Sequence, residues 1–291
     1  MKQVLCSITS NVEVRPGIHL MWLEAPIMAC SAKPGQFVTV RCGDFTLRRP
    51  LSIHCVGSSQ IALLFRVAGR GTLWLSQRRP GERLDVLGPL GNGFDIPPAE
   101  RGQPKRLLLV AGGMGIAPLV LLTQHAVAQH RVTLVHGAAT ATQIYPWAGA
   151  STTTSSAGKG QRELPPLPEG VHFVAVTEDG SAGQRGLITD ILPEFLDRAD
   201  LIYACGPLPM YRALADMTRH SERSKEPRDT SARRQQESGL RRCQVSLEVR
   251  MGCGFGACYG CTINTRRGLQ RVCLDGPVFE LDDIIWQEVQ L

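Results

Sequence analysis

The chain has 291 residues, 43% of them hydrophobic and 5% aromatic, with a formal net charge of +6. That length supports two or three packed domains, and no apolar run approaches the roughly eighteen residues that a membrane span needs. Many of the positive charges sit in one polar stretch with few aromatics beside them, a pattern that argues against nucleic acid as a partner.

The opening MKQVLCSITSNVEV alternates as a strand does and lacks the apolar centre of a signal peptide. A cytoplasmic protein is expected, with its ten cysteines outside any disulfide framework. Residues 1–100 continue as short strands separated by turn residues. VEVRPGIHLMWLEAP, GQFVTVRC, LSIHCVG, IALLFRVAG and GERLDVLGPLG carry period-two or short apolar runs, which predict a small antiparallel β-barrel or sandwich. Within this region LRRPLSIH sets Arg49 and Ser52 three apart. An arginine there can hold a pyrophosphate, and a nearby hydroxyl can bond a ring edge. FRVAGRGTLWLS ends a strand in Gly69, Gly71 and Thr72 ahead of a helix. Thr72 is the expected cap, and the unpaired amides of the helix start suit a phosphate.

From 101 to 217 the pattern changes. KRLLLVAGGMGIAPLVLLTQHAVAQH reads as buried strand, glycine turn and helix, and RVTLVHGA, VHFVAVTEDG and DLIYACGP follow as apolar strands with ITDILPEFL helical between them. Alternating strands and helices predict a parallel sheet covered on both faces. Gly112, Gly113 and Gly115 fill the turn after the first of these strands, where open sheets bind ligands. The run is not G-x-G-x-x-G, and no acidic residue is well placed to read a ribose. YACGPLPM ends a later strand in Cys205 and Gly206, and Cys205 taken alone reads as a buried structural thiol. PWAGASTTTSSAGKGQRELPPLPEG, from Pro146, is expected to be a surface loop in this domain. The charged stretch 218–240 is expected to be a polar linker or frayed helix extension.

Residues 241–291 are expected to form a compact third unit. QVSLEVR leads as a strand into MGCGFGACYGC, and RVCLDGPVF follows downstream. The spacing Cys253-x4-Cys258-x2-Cys261, with Cys273 beyond it, follows the ligand run of plant-type [2Fe-2S] ferredoxins. Two bridged irons need four thiolates from different sides. A wrapping loop supplies three, and a separate strand is expected to supply the fourth. Gly252, Gly254, Gly256 and Gly260 are expected to permit positive φ and close approach, so that amides reach the sulfurs. Zinc also accepts four cysteines, but its structural sites usually pair two short knuckles, and here one knuckle is replaced by the isolated Cys273. Cys6, Cys30, Cys42, Cys55 and Cys243 show no ligand spacing and read as small buried or incidental residues.

In this order the motifs resemble the ferredoxin-reductase family of flavoproteins. RPLS at 49–52 and GRGT at 69–72 are similar to its flavin and pyrophosphate motifs, and GGMGIAPL and CGPLPM to its nicotinamide-domain signatures. GPLGNGF, MGCGFGACYGC and VCLDGPVF narrow the resemblance to the electron-transfer subunits of class 1B dihydroorotate dehydrogenases. The implied fold is multidomain: an antiparallel β-barrel FAD domain, an α/β parallel-sheet nucleotide-binding domain and a small C-terminal [2Fe-2S] unit. The resemblance implies that Arg49, Pro50, Leu51 and Ser52 contact FAD, with Leu64, Phe65 and Arg66 along its face and Gly71 and Thr72 on its pyrophosphate. It implies that Gly112, Gly113, Gly115, Cys205 and Gly206 line an NAD(H) site and that Cys253, Cys258, Cys261 and Cys273 hold [2Fe-2S]. The implied partner is an FMN-containing dihydroorotate dehydrogenase catalytic subunit, two copies of each chain forming a heterotetramer in pyrimidine biosynthesis. This chain shows no base to deprotonate dihydroorotate. The rival readings are a related NAD(P)H:ferredoxin or sulfide-type reductase subunit, and a zinc-bearing interaction module. The stretches from Pro146 and Thr218 are longer than the family pattern.

Overall fold

A computed structural model describes residues 1–99, 102–148, 164–223 and 242–289. The first six strands are β1 (Lys2–Arg15), β2 (Ile18–Glu24), β3 (Phe37–Val40), β4 (Arg49–Val56), β5 (Gln60–Arg66) and β6 (Arg83–Leu90). They close an antiparallel barrel in the order β1-β2-β5-β4-β3-β6. Alternation drives the closure: β6 reads RLDVLGPL, with every second residue buried and so directed to one face of the pleat. VEVRPGIHLMWLEAP splits into two strands at Pro16 and Gly17, because Gly17 takes a φ of 70° that turns β1 into β2. Two short helices, α1 (Pro26–Ser31) and α2 (Arg70–Ser76), lie in the barrel connections.

The second layer is a seven-stranded sheet in the order β10-β9-β8-β7-β11-β12-β15. Its strands are β7 (Arg106–Gly112), β8 (Arg131–Ala138), β9 (His172–Thr177), β10 (Gln184–Arg185), β11 (Leu201–Cys205), β12 (Cys243–Ser246) and β15 (Val278–Glu280). All pairs are parallel except β12 with β15. Leu107–Ala111 and Leu201–Cys205 are buried throughout, as central parallel strands covered on both faces must be. The helices are α3 (Ile116–Ala126), α4 (Ile188–Leu196) and α5 (Leu208–Arg223). α3 is buried almost all round, because it is wedged between sheet and barrel: Leu121 packs in the barrel core, while Leu119 and Leu122 join a core shared by Leu20 and Leu64 of the barrel and Leu109 of β7.

The segment 241–291 joins the parallel sheet through two of its strands. Its strands β12 and β15 extend the parallel sheet, with Tyr203 opposite Gln244 and Val245 opposite Phe279. Burial of Cys243–Ser246 on both faces explains the join. The hairpin of β13 (Thr262–Thr265) and β14 (Gly268–Arg271), the one-turn helix α6 (Val272–Asp275), the cysteine loop and the turn Leu281–Asp283 stand outside the sheet. The start of the stretch expected as a linker is helical, since α5 runs to Arg223. Residues 224–241, and 149–163 of the loop from Pro146, lie outside the described residues. Among the described residues no helix is long and apolar enough to cross a membrane.

Candidate functional site

The carboxyl ends of β7, β8, β9 and β11 face the barrel across a cleft of about 1230 Å³, the position where open α/β sheets take ligands. Gly112, Gly113, Gly115, Gly137, Ala138, Glu178 and Gly206 line the sheet side. Pro50, Leu51, Ser52, Leu64, Phe65 and Arg66, from β4 and β5, line the barrel side, and Leu247–Met251 close the end beyond β12. The volume exceeds the roughly 300–1,000 Å³ of an ordinary single-ligand pocket, leaving room for two ring systems to meet.

Close approach explains the glycine turn. A Cβ on Gly115 would overlap the Cys205 carbonyl, and one on Gly112 would lie 2.6 Å from Pro207 Cδ. Cys205 itself is fully buried behind this contact and does not line the cleft. Burial, and then the charge of Glu248, push its thiol pKa well up. The sequence-predicted wall at Cys205 is therefore its backbone neighbourhood, with Gly206 as the lining residue.

Arg49, Gly71 and Thr72 lie apart from the cleft lining. The Arg49 guanidinium rests on the Gly71 backbone, where a Cβ would lie 2.8 Å from Nη2, and it donates to the Leu47 carbonyl at 2.6 Å. Arg49 and Arg70 flank the Phe45 ring at 5.8 and 5.3 Å, and neither has a carboxylate partner among the described residues. Two uncompensated cations beside a glycine fit a pyrophosphate. Thr72 is not the helix cap. Gly69 caps α2, and Thr72 stands at the third helical position. Its hydroxyl accepts from the amides of Ala68 and Gly69 at 2.9 and 3.2 Å and donates to the Gly69 carbonyl, so it holds the turn shut.

The cysteine loop packs on the outside of the barrel. Gly254 and Gly256 have φ of 82° and 88°, and a Cβ on Gly254 would sit 2.5 Å from Thr39 Cγ2 of β3. Gly252 and Gly260 lack positive φ; the further left-handed residue is Tyr259, at 58°. Amides do reach the sulfurs: Gly256 N–H donates to Cys273 Sγ at 3.0 Å, Ala257 to Cys253 at 3.2 Å, Gly260 to Cys258 at 3.5 Å and Cys273 to Cys261 at 3.4 Å. Cys273 comes from α6 rather than from a strand. Asn92 of GPLGNGF pins the downstream chain: its side chain exchanges hydrogen bonds with the Val278 backbone at 2.8 and 3.0 Å, and its backbone N–H donates to the Gly276 carbonyl at 2.6 Å.

Cys253 is in hydrogen-bond reach of Cys258, and Cys273 of Cys261, with the Cys253 charge also felt at Cys273. Among the described residues no three Cys, His, Asp or Glu side chains converge on a point for one metal ion. Four thiols, three on a glycine-rich loop and one on the helix after the hairpin, fit the ligand set of a [2Fe-2S] cluster. Partial burial opposes ionisation of Cys253, but hydrogen bonds from the Phe255, Cys258 and Ala257 amides and the Cys258 thiol outweigh it and bring the pKa down to about 6. Burial, then the neighbouring Cys261, push Cys273 up to about 12.

Comparison with known proteins agrees. A family profile described as the iron-sulfur cluster binding domain of dihydroorotate dehydrogenase B matches residues 248–285, and one described as an oxidoreductase NAD-binding domain matches 109–216. The chain is 35% identical over 294 residues to the dihydroorotate dehydrogenase B (NAD(+)) electron transfer subunit of Geobacillus sp. (strain WCH70), covering 98% of this chain and 99% of the relative. The chain belongs to the family of dihydroorotate dehydrogenase B electron transfer subunits. The Desulforamulus reducens member is also 35% identical, over 94% of this chain and 95% of its own. A solved NADH-dependent reduced ferredoxin-NADP oxidoreductase shares the fold at a TM-score of 0.74 and 24% identity, over 98% of this chain and 91% of that one.

The matched profiles support NAD(H) and an iron-sulfur cluster as cofactors, and the donor sets above fit them. Sequence reasoning missed two carboxylates in the cleft lining. Glu248 lies in the cleft wall, its side chain open to the cleft but otherwise enclosed by protein. That enclosure raises its carboxyl pKa, against the pull of the Arg66 charge, and the Cys205 thiol approaches Oε1 at 4.0 Å. Glu178 lies at the opposite end, after β9. Within SLEVR and TEDG nothing local marked either carboxylate as a site residue.

Proposed function

We propose that this chain is the redox half of a two-subunit dihydroorotate dehydrogenase. It exchanges hydride with NAD(H) in the interdomain cleft and single electrons with a partner at the cysteine loop, within de novo pyrimidine synthesis. When bound, FAD supplies the exchange between a two-electron carrier and a one-electron cluster. The placement of the cysteine loop carries this reading. Gly254 lies on Thr39, and Thr39 pairs in register with Pro50 of the flavin-side strand, so one sheet wall separates cleft and loop.

In this reading Pro50, Leu51 and Ser52, with Leu64, Phe65 and Arg66, position the flavin ring, while Arg49 and the Gly71–Thr72 turn hold its pyrophosphate. Gly112, Gly113, Gly115 and Gly206 admit the dinucleotide backbone, with Cys205 supporting them from behind. Cys253, Cys258, Cys261 and Cys273 hold the cluster. The working division is FAD domain 1–100, NAD domain 101–217, intervening stretch 218–240 and cluster segment 241–291. The partner is proposed to be an FMN-containing catalytic subunit, two of each chain assembling in the cytoplasm. Phe255, Tyr259 and Leu274, 43%, 65% and 48% exposed, form the apolar outer side of the loop proposed to meet it. Reconstitution with such a subunit, assayed for dihydroorotate-dependent NAD reduction, tests the reading. Coupling is expected; spectra showing flavin and cluster but no coupling would favour a reductase with another acceptor.

A further inference from the structure

We infer that Thr39 of the barrel donates a hydrogen bond from its hydroxyl to a sulfur of the cluster held by the cysteine loop, and so raises the reduction potential there. The inference rests on reading the loop as the [2Fe-2S] site.

Strand alternation sets where Thr39 points. On β3, Val38 and Val40 are buried in the barrel core, so Phe37 and Thr39 face outward. Phe37 joins the apolar cluster that contains Cys261, Val272 and Cys273. Thr39 lies against Gly254, next in sequence to Cys253: a Cβ on Gly254 would sit 2.5 Å from Thr39 Cγ2. Oγ1 is bonded to the same Cβ as that methyl, which sets the hydroxyl beside the loop.

The hydroxyl has no protein partner. Thr39 is 1% exposed, and Oγ1 makes no hydrogen bond among the described residues. Its backbone is occupied: Thr39 stands in register with Pro50 and Leu87, and its carbonyl accepts from Arg48 Nη1 at 3.4 Å. Other buried polar atoms in the same condition belong to Ser10, Asn11, His19 and Trp147. Those residues lie on β1, β2 and the segment after β8, and none of them meets a glycine of the loop.

A buried hydroxyl left unpaired is costly, and an anionic sulfur is an acceptor for it. The loop supplies its own donors in the Gly256, Ala257 and Gly260 amides, and Thr39 adds one from the barrel. Reduction brings in one electron and no proton, and the hydroxyl keeps its own. Because that electron adds negative charge, a donor stabilises the reduced form more than the oxidised one. Apolar surroundings strengthen the effect.

The test is an EPR-monitored redox titration of the purified holoprotein. Thr39→Val keeps both γ branches and loses the hydroxyl; Thr39→Ser keeps the hydroxyl and loses the methyl. The valine variant should retain iron. At the wild-type midpoint its reduced-to-oxidised ratio should fall roughly three- to tenfold, the upper figure being about 59 mV for one electron. Serine should keep the wild-type midpoint, and the FAD midpoint should move in neither. Electron-nuclear double resonance of the reduced protein, in D2O against H2O, should show one exchangeable proton fewer in the valine variant. If valine fails to hold iron, Thr39→Ala against Thr39→Ser makes the same comparison with less bulk against the loop. A valine midpoint equal to wild type, an equal fall in valine and serine, or loss of iron from both valine and alanine variants would overturn the inference alone. Wild type without iron or a reduced-cluster signal would overturn the reading of the loop and the inference with it.

Discussion

The Tyr145 hydroxyl and His54 Nε2 meet at 2.8 Å across the boundary between the α/β domain and the barrel. His54 Nδ1 lies 2.9 Å from the Ala117 carbonyl in α3; a carbonyl only accepts, so Nδ1 carries the proton and Nε2 accepts from Tyr145. The same residue's amide donates to His136 Nδ1 at 3.3 Å, and His136 Nε2–H donates to the Gly113 carbonyl at 3.0 Å. A buried chain thus runs from β4 to the glycine turn after β7, and it fixes the two walls of the cleft relative to each other.

Removing one link should be costly. Tyr145→Phe leaves His54 Nε2 buried and unpaired, a loss of about 1–3 kcal/mol, read as a lower denaturant midpoint at unchanged slope. His54→Leu with Tyr145→Phe should destabilise less than the sum of the single changes, because the two share one interaction. Additive effects would mean that the contact contributes nothing of its own.

Acid should act through the same histidines. Burial, opposed by a backbone hydrogen bond in each case, pulls both His54 and His136 down to about 4. The unfolded chain takes up these protons near pH 6.5, and the folded chain resists until about 4. Stability is therefore full above pH 6.5 and falls as pH drops from there toward 4, by roughly 3 kcal/mol per histidine at most. Urea midpoints measured across pH 4–8 check this. His54→Gln should flatten the slope, and a wild-type midpoint unchanged down to pH 4.5 would contradict it.

The cysteine loop and the flavin end of the barrel are separable in space, so their losses should be separable too. Cys258→Ser should lower iron content and the cluster's visible and EPR signals while leaving FAD bound. Arg49→Ala should release FAD and spare the iron. Equal loss of both cofactors in either variant would show that the two sites fold as one unit.

What the sequence showed depended on distance along the chain. The four thiols and the glycine turns were legible because their spacing is local, and α/β alternation was legible because central strands such as Leu107–Ala111 are apolar throughout. The His54–Tyr145 pair spans 91 positions and leaves no periodic trace. Glu248 reaches the cleft because the chain after α5 returns as β12 beside β11, a pairing made beyond the polar stretch and so without a local signal. Thr72 was misplaced by three positions because glycine, lacking a side chain, can also begin a helix.

Gly254 offers the sharpest test of how the loop is held. Alanine there meets two separate penalties: a left-handed φ of 82°, costing about 1–2 kcal/mol for a residue with a Cβ, and a clash with Thr39 Cγ2, about 1–3 kcal/mol more if nothing moves. Gly268 separates them, since its φ is 96° but a Cβ would meet nothing within 4 Å. Gly268→Ala should show the backbone cost alone, with iron retained. Gly254→Ala should cost more and lower iron content, because the displaced loop carries Cys253 with it. Adding Thr39→Ser removes Cγ2, so Gly254→Ala/Thr39→Ser should recover the difference between the two glycine variants and part of the iron. No recovery would place the strain in the loop backbone rather than in its contact with the barrel.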